Sequence, residues 1–253
     1  MSIADGETRL AGTGVWSRLY AVLFLSLAAA LFALAAPRMI AAILLVPGNN
    51  AARVMNAGLE KLTVGQLDSI IDSRQAAGEW IESGRNSNAV GLAAARLLYQ
   101  MESLAVRQPE QEAAYLDLVI RSLREGLALQ PAEPYAWSHL SLALLRRGAP
   151  GDLAAAERAW RMSVITAPNE HQMLIQRLTT GLFLWSVATP RTRAMIEAEV
   201  LRTARIQPRG MARMARMIGA EGFIREVLAK HPDLLAMFDE MMPSPEAGSP
   251  LFP

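Results

Sequence analysis

The chain has no cysteine, three histidines and two lysines in 253 residues, and each scarcity removes a class of chemistry. Without cysteine there are no disulfides, thiolate metal sites, haem attachments or cysteine nucleophiles. His139, His171 and His231 lie far apart and form neither a His-x-x-x-His nor a Glu-x-x-His pair, so no metal site is expected. Lys61 and Lys230 stand against 23 arginines, which reads as the coding bias of a GC-rich bacterium, since surfaces ordinarily mix both cations. Net charge is only +1, so no global field argues for nucleic acid. Strand signals are missing past residue 50: there is no alternating Val/Ile/Thr/Tyr run and no Asn-Gly or Asp-Gly turn. Gly-x-Ser-x-Gly, Walker, dinucleotide and Ser-x-x-Lys signatures do not occur. No cofactor and no enzymatic activity are therefore expected.

Charge is absent altogether from the eighteen residues that begin at Leu19 and end at Ala36, with Tyr20 and Ser26 as the polar interruptions. As helix the run is ~27 Å long, close to the thickness of a bilayer's hydrocarbon. It reads as a transmembrane anchor. A cleaved signal peptide is one alternative, because Ala33-Leu34-Ala35 resembles a cleavage site. Its apolar core, however, would span only about 7–15 residues, and Pro37 lies two residues beyond the cut. A buried core helix is the other. Residues 39–46 extend the run into the interface, with Pro37 bending the helix and Arg38 snorkelling toward headgroups. A re-entrant hairpin there is less favoured. Arg9 and Arg18 before the anchor balance Arg38 and Arg53 after it, so charge does not orient the chain. A single N-terminal anchor most often leaves its tail in the cytoplasm. That places the main domain outside a bacterial inner membrane, in the periplasm.

Beyond the anchor the apolar spacing is helical. Leu116, Val119, Ile120, Leu123 and Leu127 follow the i, i+3, i+4, i+7 pattern. Leu67, Ile70, Ile71, Ala77 and Ile81 give an earlier stripe, on a helix that Thr63 and Gln66 would start as a capping box. Later stripes are Trp137, Leu140 and Leu144; Leu153, Ala156, Trp160 and Val164; Ile175, Leu178, Leu182 and Trp185; and Ile196, Val200 and Ala204. Pro109, Pro131, Pro168, Pro208 and Pro232 each follow a stripe and read as stops, because the residue before proline leaves the α region. Thr189-Pro190 reads as an N-cap with Pro at the first helical position. The expected helices are roughly 64–82, 87–106, 110–129, 133–147, 152–166, 170–187, 191–206 and 209–240, the last broken near Gly219 or His231. The organisation expected is a tail at 1–18, an anchor with its extension at 19–48, a helical domain at 49–242 and a disordered Pro-rich tail at 243–253.

Pro131 to Pro168 is 37 residues and Pro168 to Pro208 is 40, each interval holding a helix pair. Such periods suggest an all-α solenoid, in which one repeat buries its apolar face only when a neighbour stacks on it. Residues 133–168 (EPYAWSHLSLALLRRGAPGDLAAAERAWRMSVITAP) resemble one tetratricopeptide repeat. Trp137, Leu140 and Leu144 fall where its first helix has Trp, Leu and an aromatic. Ala156 and Trp160 match the second helix, and Pro168 the terminal proline. Ser141 and Ser163 replace the usual Gly and Ala, and the turn carries about three extra residues, Gly148 to Gly151. The resemblance implies a ligand surface on the first helix's inner face, around Tyr135, Ser138 and Leu142. Membrane-anchored chains with degenerate repeats of this sort resemble accessory factors of bacterial envelope and exopolysaccharide systems. A protein partner in such an assembly follows as the expectation.

A second surface is charged. Arg209, Arg213 and Arg216 share one helix face, with Met211, Met214 and Met217 on another, and residues 191–230 carry net charge +5. This face fits an anionic partner or a lipid surface, or it is simply solvated with Met packed inward. No aromatic platform accompanies the arginines, so nucleic acid is not expected. Trp80, Trp137, Trp160 and Trp185 are read as packing residues rather than sugar platforms. The pairs Asp68/Asp72 and Glu79/Glu82 lie one turn apart but have no evident cleft to shift a pKa. Three readings stay open: a membrane-anchored scaffold in polysaccharide synthesis or export, an anionic-ligand or lipid-binding module, and an enzyme whose site assembles only in space.

Overall fold

The computed structural model describes residues 8–50, 62–103 and 109–242, and every regular element among them is a helix. Residues 243–253, expected to be disordered, lie outside the described residues. The chain forms two compact units, residues 1–82 and 83–253.

The first unit is built on helix α1 (Thr8–Leu44), which starts well before the apolar run. Pro37 lies inside it without ending it; its ring removes one backbone donor, and Arg38 folds back to donate to the Leu34 carbonyl at 2.8 Å. Trp16–Leu44 is long and apolar enough to cross a membrane, with mean hydropathy 2.4, and its most apolar stretch is wholly unburied. That exposure removes the core-helix alternative. Helix α2 (Val64–Gly78) begins with the expected capping box: the Gln66 N–H donates to Thr63 Oγ1 at 3.3 Å and the Thr63 N–H to Gln66 Oε1 at 2.8 Å. By contacts α2 groups with α1. The residues just after α1 approach α2 closely at Gly48, where a Cβ would fall 2.0 Å from Ser73 Oγ. Asn49 accepts from Arg74 at 3.1 Å beside it.

The second unit contains α3 (Gly84–Ser103), α4 (Pro109–Leu129), α5 (Pro134–Arg147), α6 (Asp152–Thr166), a 3-10 turn (His171–Met173), α7 (Leu174–Leu184), α8 (Pro190–Ile206), α9 (Pro208–Ile218), α10 (Glu221–Leu228) and α11 (Pro232–Met241). Helices end as expected ahead of Pro131, Pro168, Pro208 and Pro232, at Leu129, Thr166, Ile206 and Leu228. Some prolines also open the next helix: Pro109 is the first residue of α4, and Pro208 and Pro232 stand in the first turns of α9 and α11. Both effects have one cause, since proline expels its predecessor from the helix yet its own fixed φ suits the first helical position. The segment read as 209–240 breaks at both suspected points, at Gly219 in the left-handed region (φ 69°) and before Pro232.

Consecutive helices pack on one another from α3 to α8. In addition α3 reaches α5, α5 reaches α7 and α6 reaches α8. The last three helices instead gather on α8 around Val200, Met211, Met214, Ile224, Leu228 and Phe238. Two stripes differ from expectation. Leu153 is exposed and Asp152 is buried in its place. On α7 the fully buried face is Leu174, Arg177, Leu178 and Leu184, while Ile175, Leu182 and Trp185 are half-buried. The half-buried Ile175 and Leu182 pack on the C-terminal cluster, so α7 is covered on two sides and a single stripe cannot describe it.

Candidate docking surfaces

Residues 134–166 are locked by hydrogen bonds made where they depart from the tetratricopeptide pattern. Ser141 Oγ donates to the Ala156 carbonyl at 2.8 Å, tying α5 to α6. The long turn is closed by Arg147, whose guanidinium makes two 2.8 Å bonds to Asp152, while the Ala149 N–H donates to the same carboxylate at 3.0 Å. The Arg147 hydrogen bonds hold the Asp152 carboxyl below its usual range despite burial. Gly148 and Gly151, at φ 62° and 84°, supply the left-handed geometry that lets the turn reverse.

Against this frame the three α5 residues fare differently. Leu142 is exposed, and Tyr135 is half-buried with its hydroxyl 3.4 Å from Gln172 Oε1. Burial and then the Glu170 carboxylate raise the Tyr135 phenol above its ordinary pKa. Ser138 is buried, and its hydroxyl has no hydrogen-bond partner. The open part of the predicted face is therefore Tyr135 and Leu142. His139, on the same helix, is held neutral by burial and by Arg96, its pKa lowered to about 4.

Residues the sequence reading passed over form the most unusual polar site. Arg177 and Glu199, with side chains 0% and 1% exposed, lie 3.4 Å apart between α7 and α8. Arg177 donates to the carbonyls of Ser163 at 3.2 Å and Ala167 at 2.8 Å, neutralising the C-terminal end of α6. Glu199 also accepts from Arg202 at 2.5 Å, and Trp160 Nε1 donates to the Arg177 carbonyl at 2.7 Å. Burial pushes Glu199 up and Arg177 down, each opposed by the partner's charge. A second buried acid, Glu157, accepts from the hydroxyls of Thr189 and Thr192 at 2.5 Å, which keeps its carboxyl low despite burial and joins α6 to the start of α8. Glu157 is held by helix-linking hydrogen bonds, whereas Glu199 Oε2 and Arg177 Nε face each other as an ion pair with no hydrogen bond at either atom; both acids join helices and serve packing. The available signal was an arginine on the same face as Leu174, Leu178 and Gly181.

On α9, Arg209, Arg213 and Arg216 are all exposed, as their spacing predicted. Met211 and Met214 are buried, but Met217 is 72% exposed. Of the tryptophans, Trp160 is fully buried against Gly181, where a Cβ would sit 3.0 Å from its ring. Trp137 and Trp185 are half-buried, Trp185 with Phe223 edge-on at 4.5 Å, whereas Trp80 is exposed. Asp72, Glu79 and Glu82 are exposed and Asp68 half-buried. Among the described residues no group of three or more His, Asp or Glu is placed to hold a metal ion. The chain matches no family model, and no curated protein is similar to it at a significant level.

Proposed function

We propose that this chain is a membrane-anchored helical adaptor with no enzymatic activity, which holds a protein partner at the bilayer of a bacterial envelope assembly serving polysaccharide synthesis or export. The observation that carries the anchoring is the unburied apolar helix Trp16–Leu44, because soluble proteins rarely leave so large a contiguous apolar surface to water. The adaptor half is supported by the next-but-one packing of α3 on α5 and α5 on α7. Stacked helix pairs of a tetratricopeptide-like solenoid make that pattern, and it leaves Tyr135 and Leu142 on an open strip. The helical unit is assigned to the periplasm, because single N-terminal anchors most often keep their short tail inside.

The test is extraction and topology of the full chain in cells. Alkaline washing leaves the protein in the membrane pellet, and its N-terminus begins ahead of Leu19. Protease added to cells stripped of their outer membrane digests a C-terminal tag. A mature chain that starts after Ala35 and floats free overturns the anchor. A tag protected until the inner membrane is lysed overturns the periplasmic placement. For the adaptor, a photo-reactive residue at Leu142 captures one defined envelope protein that the same residue at the exposed Leu129 does not, and equal capture at both sites removes the reading.

A further inference from the structure

We propose that the arginine row of α9 docks on the anionic headgroups of the bilayer that holds α1, giving the protein a second, salt-sensitive membrane contact; this rests on the anchored reading above. The eleven residues of α9 (PRGMARMARMI) include three arginines and no acid. Two of the three placements work against the helix itself, while Arg216 sits in the last turn, where the dipole favours a cation. Arg209 occupies the first turn, at the positive end of the dipole, and Arg209 and Arg213 are like charges at i, i+4.

The rest of the protein does little to offset this repulsion. Among the described residues Arg213 makes no ion pair and Arg209 meets the Met241 sulfur at 3.4 Å, whereas Arg216 pairs with the half-buried Glu221 at 3.5 Å. Burial of Met211, Ala212, Met214 and Ala215 fixes the rotation of α9, so all three arginines are held outward. At Arg209 and Arg213 the sequence breaks local rules with little internal compensation, which marks a place where something external completes it. Among anionic partners the bilayer is favoured on two grounds. An anchored chain meets that surface at a high effective concentration. Met217, 72% exposed beside the arginines, also offers an apolar contact that headgroup interfaces accept. Each arginine near an anionic leaflet contributes about fivefold in binding, so the row shifts the docking equilibrium constant by about 100-fold.

The experiment uses full-length protein in lipid nanodiscs, with Met217→Cys carrying a polarity-sensitive fluorophore. Discs of phosphatidylcholine are compared with discs that also contain phosphatidylglycerol. Incorporation into both discs reports α1, so a failed anchor and a failed arginine contact are told apart. The expected result is a blue shift in the anionic discs alone, reversed by high salt. It is abolished in R209E/R213E/R216E, weakened in R209Q/R213Q, and kept in R158E, a charge reversal at an exposed site on α6. Identical spectra in both lipids overturn the proposal, as they would if the row bound an acidic protein instead. A shift undiminished in R209Q/R213Q, with an unchanged circular dichroism spectrum, overturns it as well.

Discussion

Leu23, Phe24, Leu25 and Phe32 of α1 are more than 60% exposed, whereas Arg177 and Glu199 of the second unit are covered almost completely. One region puts oil outside and the other puts charge inside. Neither arrangement is stable on its own terms. Leucine on the surface of α1 needs a hydrocarbon neighbour to leave water, and an arginine cut off from water needs carbonyls and a carboxylate in its place. The contrast teaches that a buried and an exposed position have meaning only against the medium each meets. For α1, on the anchored reading proposed above, the completing partner is the bilayer. For Arg177 it is α6, through Ser163 and Ala167, and α8, through Glu199.

Three substitutions break or sharpen this contrast. The largest effect is expected for Arg177→Met, which leaves Glu199 with only the Arg202 side of its compensation and strips the end of α6 of its cation. Removing one member of a buried pair costs about 3–5 kcal/mol, read as a fall in the denaturation midpoint. R177M/E199L recovers part of that loss, because the buried charge goes too. It does not recover all, since the α6 carbonyls remain without their donor. A double variant no better than the single one would show that Arg177 acts through the carbonyls alone.

Next is Leu27→Arg, a charge at the middle of the exposed apolar helix. If the bilayer is what covers α1, this costs about 2.5–3.5 kcal/mol of insertion and moves protein out of the alkali-resistant pellet. Unchanged partitioning would separate the helix from the membrane.

The smallest of the three is a pH effect at His139. Its folded-state pKa of about 4 lies below the ordinary 6.5, so the unfolded chain binds the proton first. Stability is therefore full above 6.5, declines as pH falls from 6.5 toward 4, and levels off below. At pH 5 the loss is roughly 2 kcal/mol. His139→Gln flattens that window while leaving stability at pH 8 little changed, measured as the difference in unfolding free energy between the two pH values. A slope equal in both proteins would assign the titration to other groups.

How much of this was legible before folding varies residue by residue. The Thr63/Gln66 capping box and the Thr189 cap act within one helical turn, and both form as their spacing requires. The stripe Leu116, Val119, Ile120, Leu123 and Leu127 is buried throughout. Gly219 and Pro232 break the C-terminal helix for reasons internal to those residues. Leu153 failed because its neighbour Asp152 is drawn in by Arg147, a choice made by a turn rather than by hydrophobicity. Ser138 failed as an open contact because inner-face position does not say how closely adjacent helices close over it. The arginine face of α9 was visible as a pattern, but the absence of an ion pair at Arg213 among the described residues, beside the Arg216–Glu221 pair, was not.

What the sequence alone determined is therefore local: all-helical structure, the apolar length of α1, the caps and the breaks. Each follows from backbone restriction or side-chain spacing inside a single element. Only the tertiary structure decided that Arg177 pairs with Glu199, that α2 groups with α1, and that Tyr135 and Leu142 stay open while Ser138 closes. Those outcomes depend on which surfaces meet across distant elements, and a charge becomes a core residue only when the groups that replace its water arrive from elsewhere in the chain.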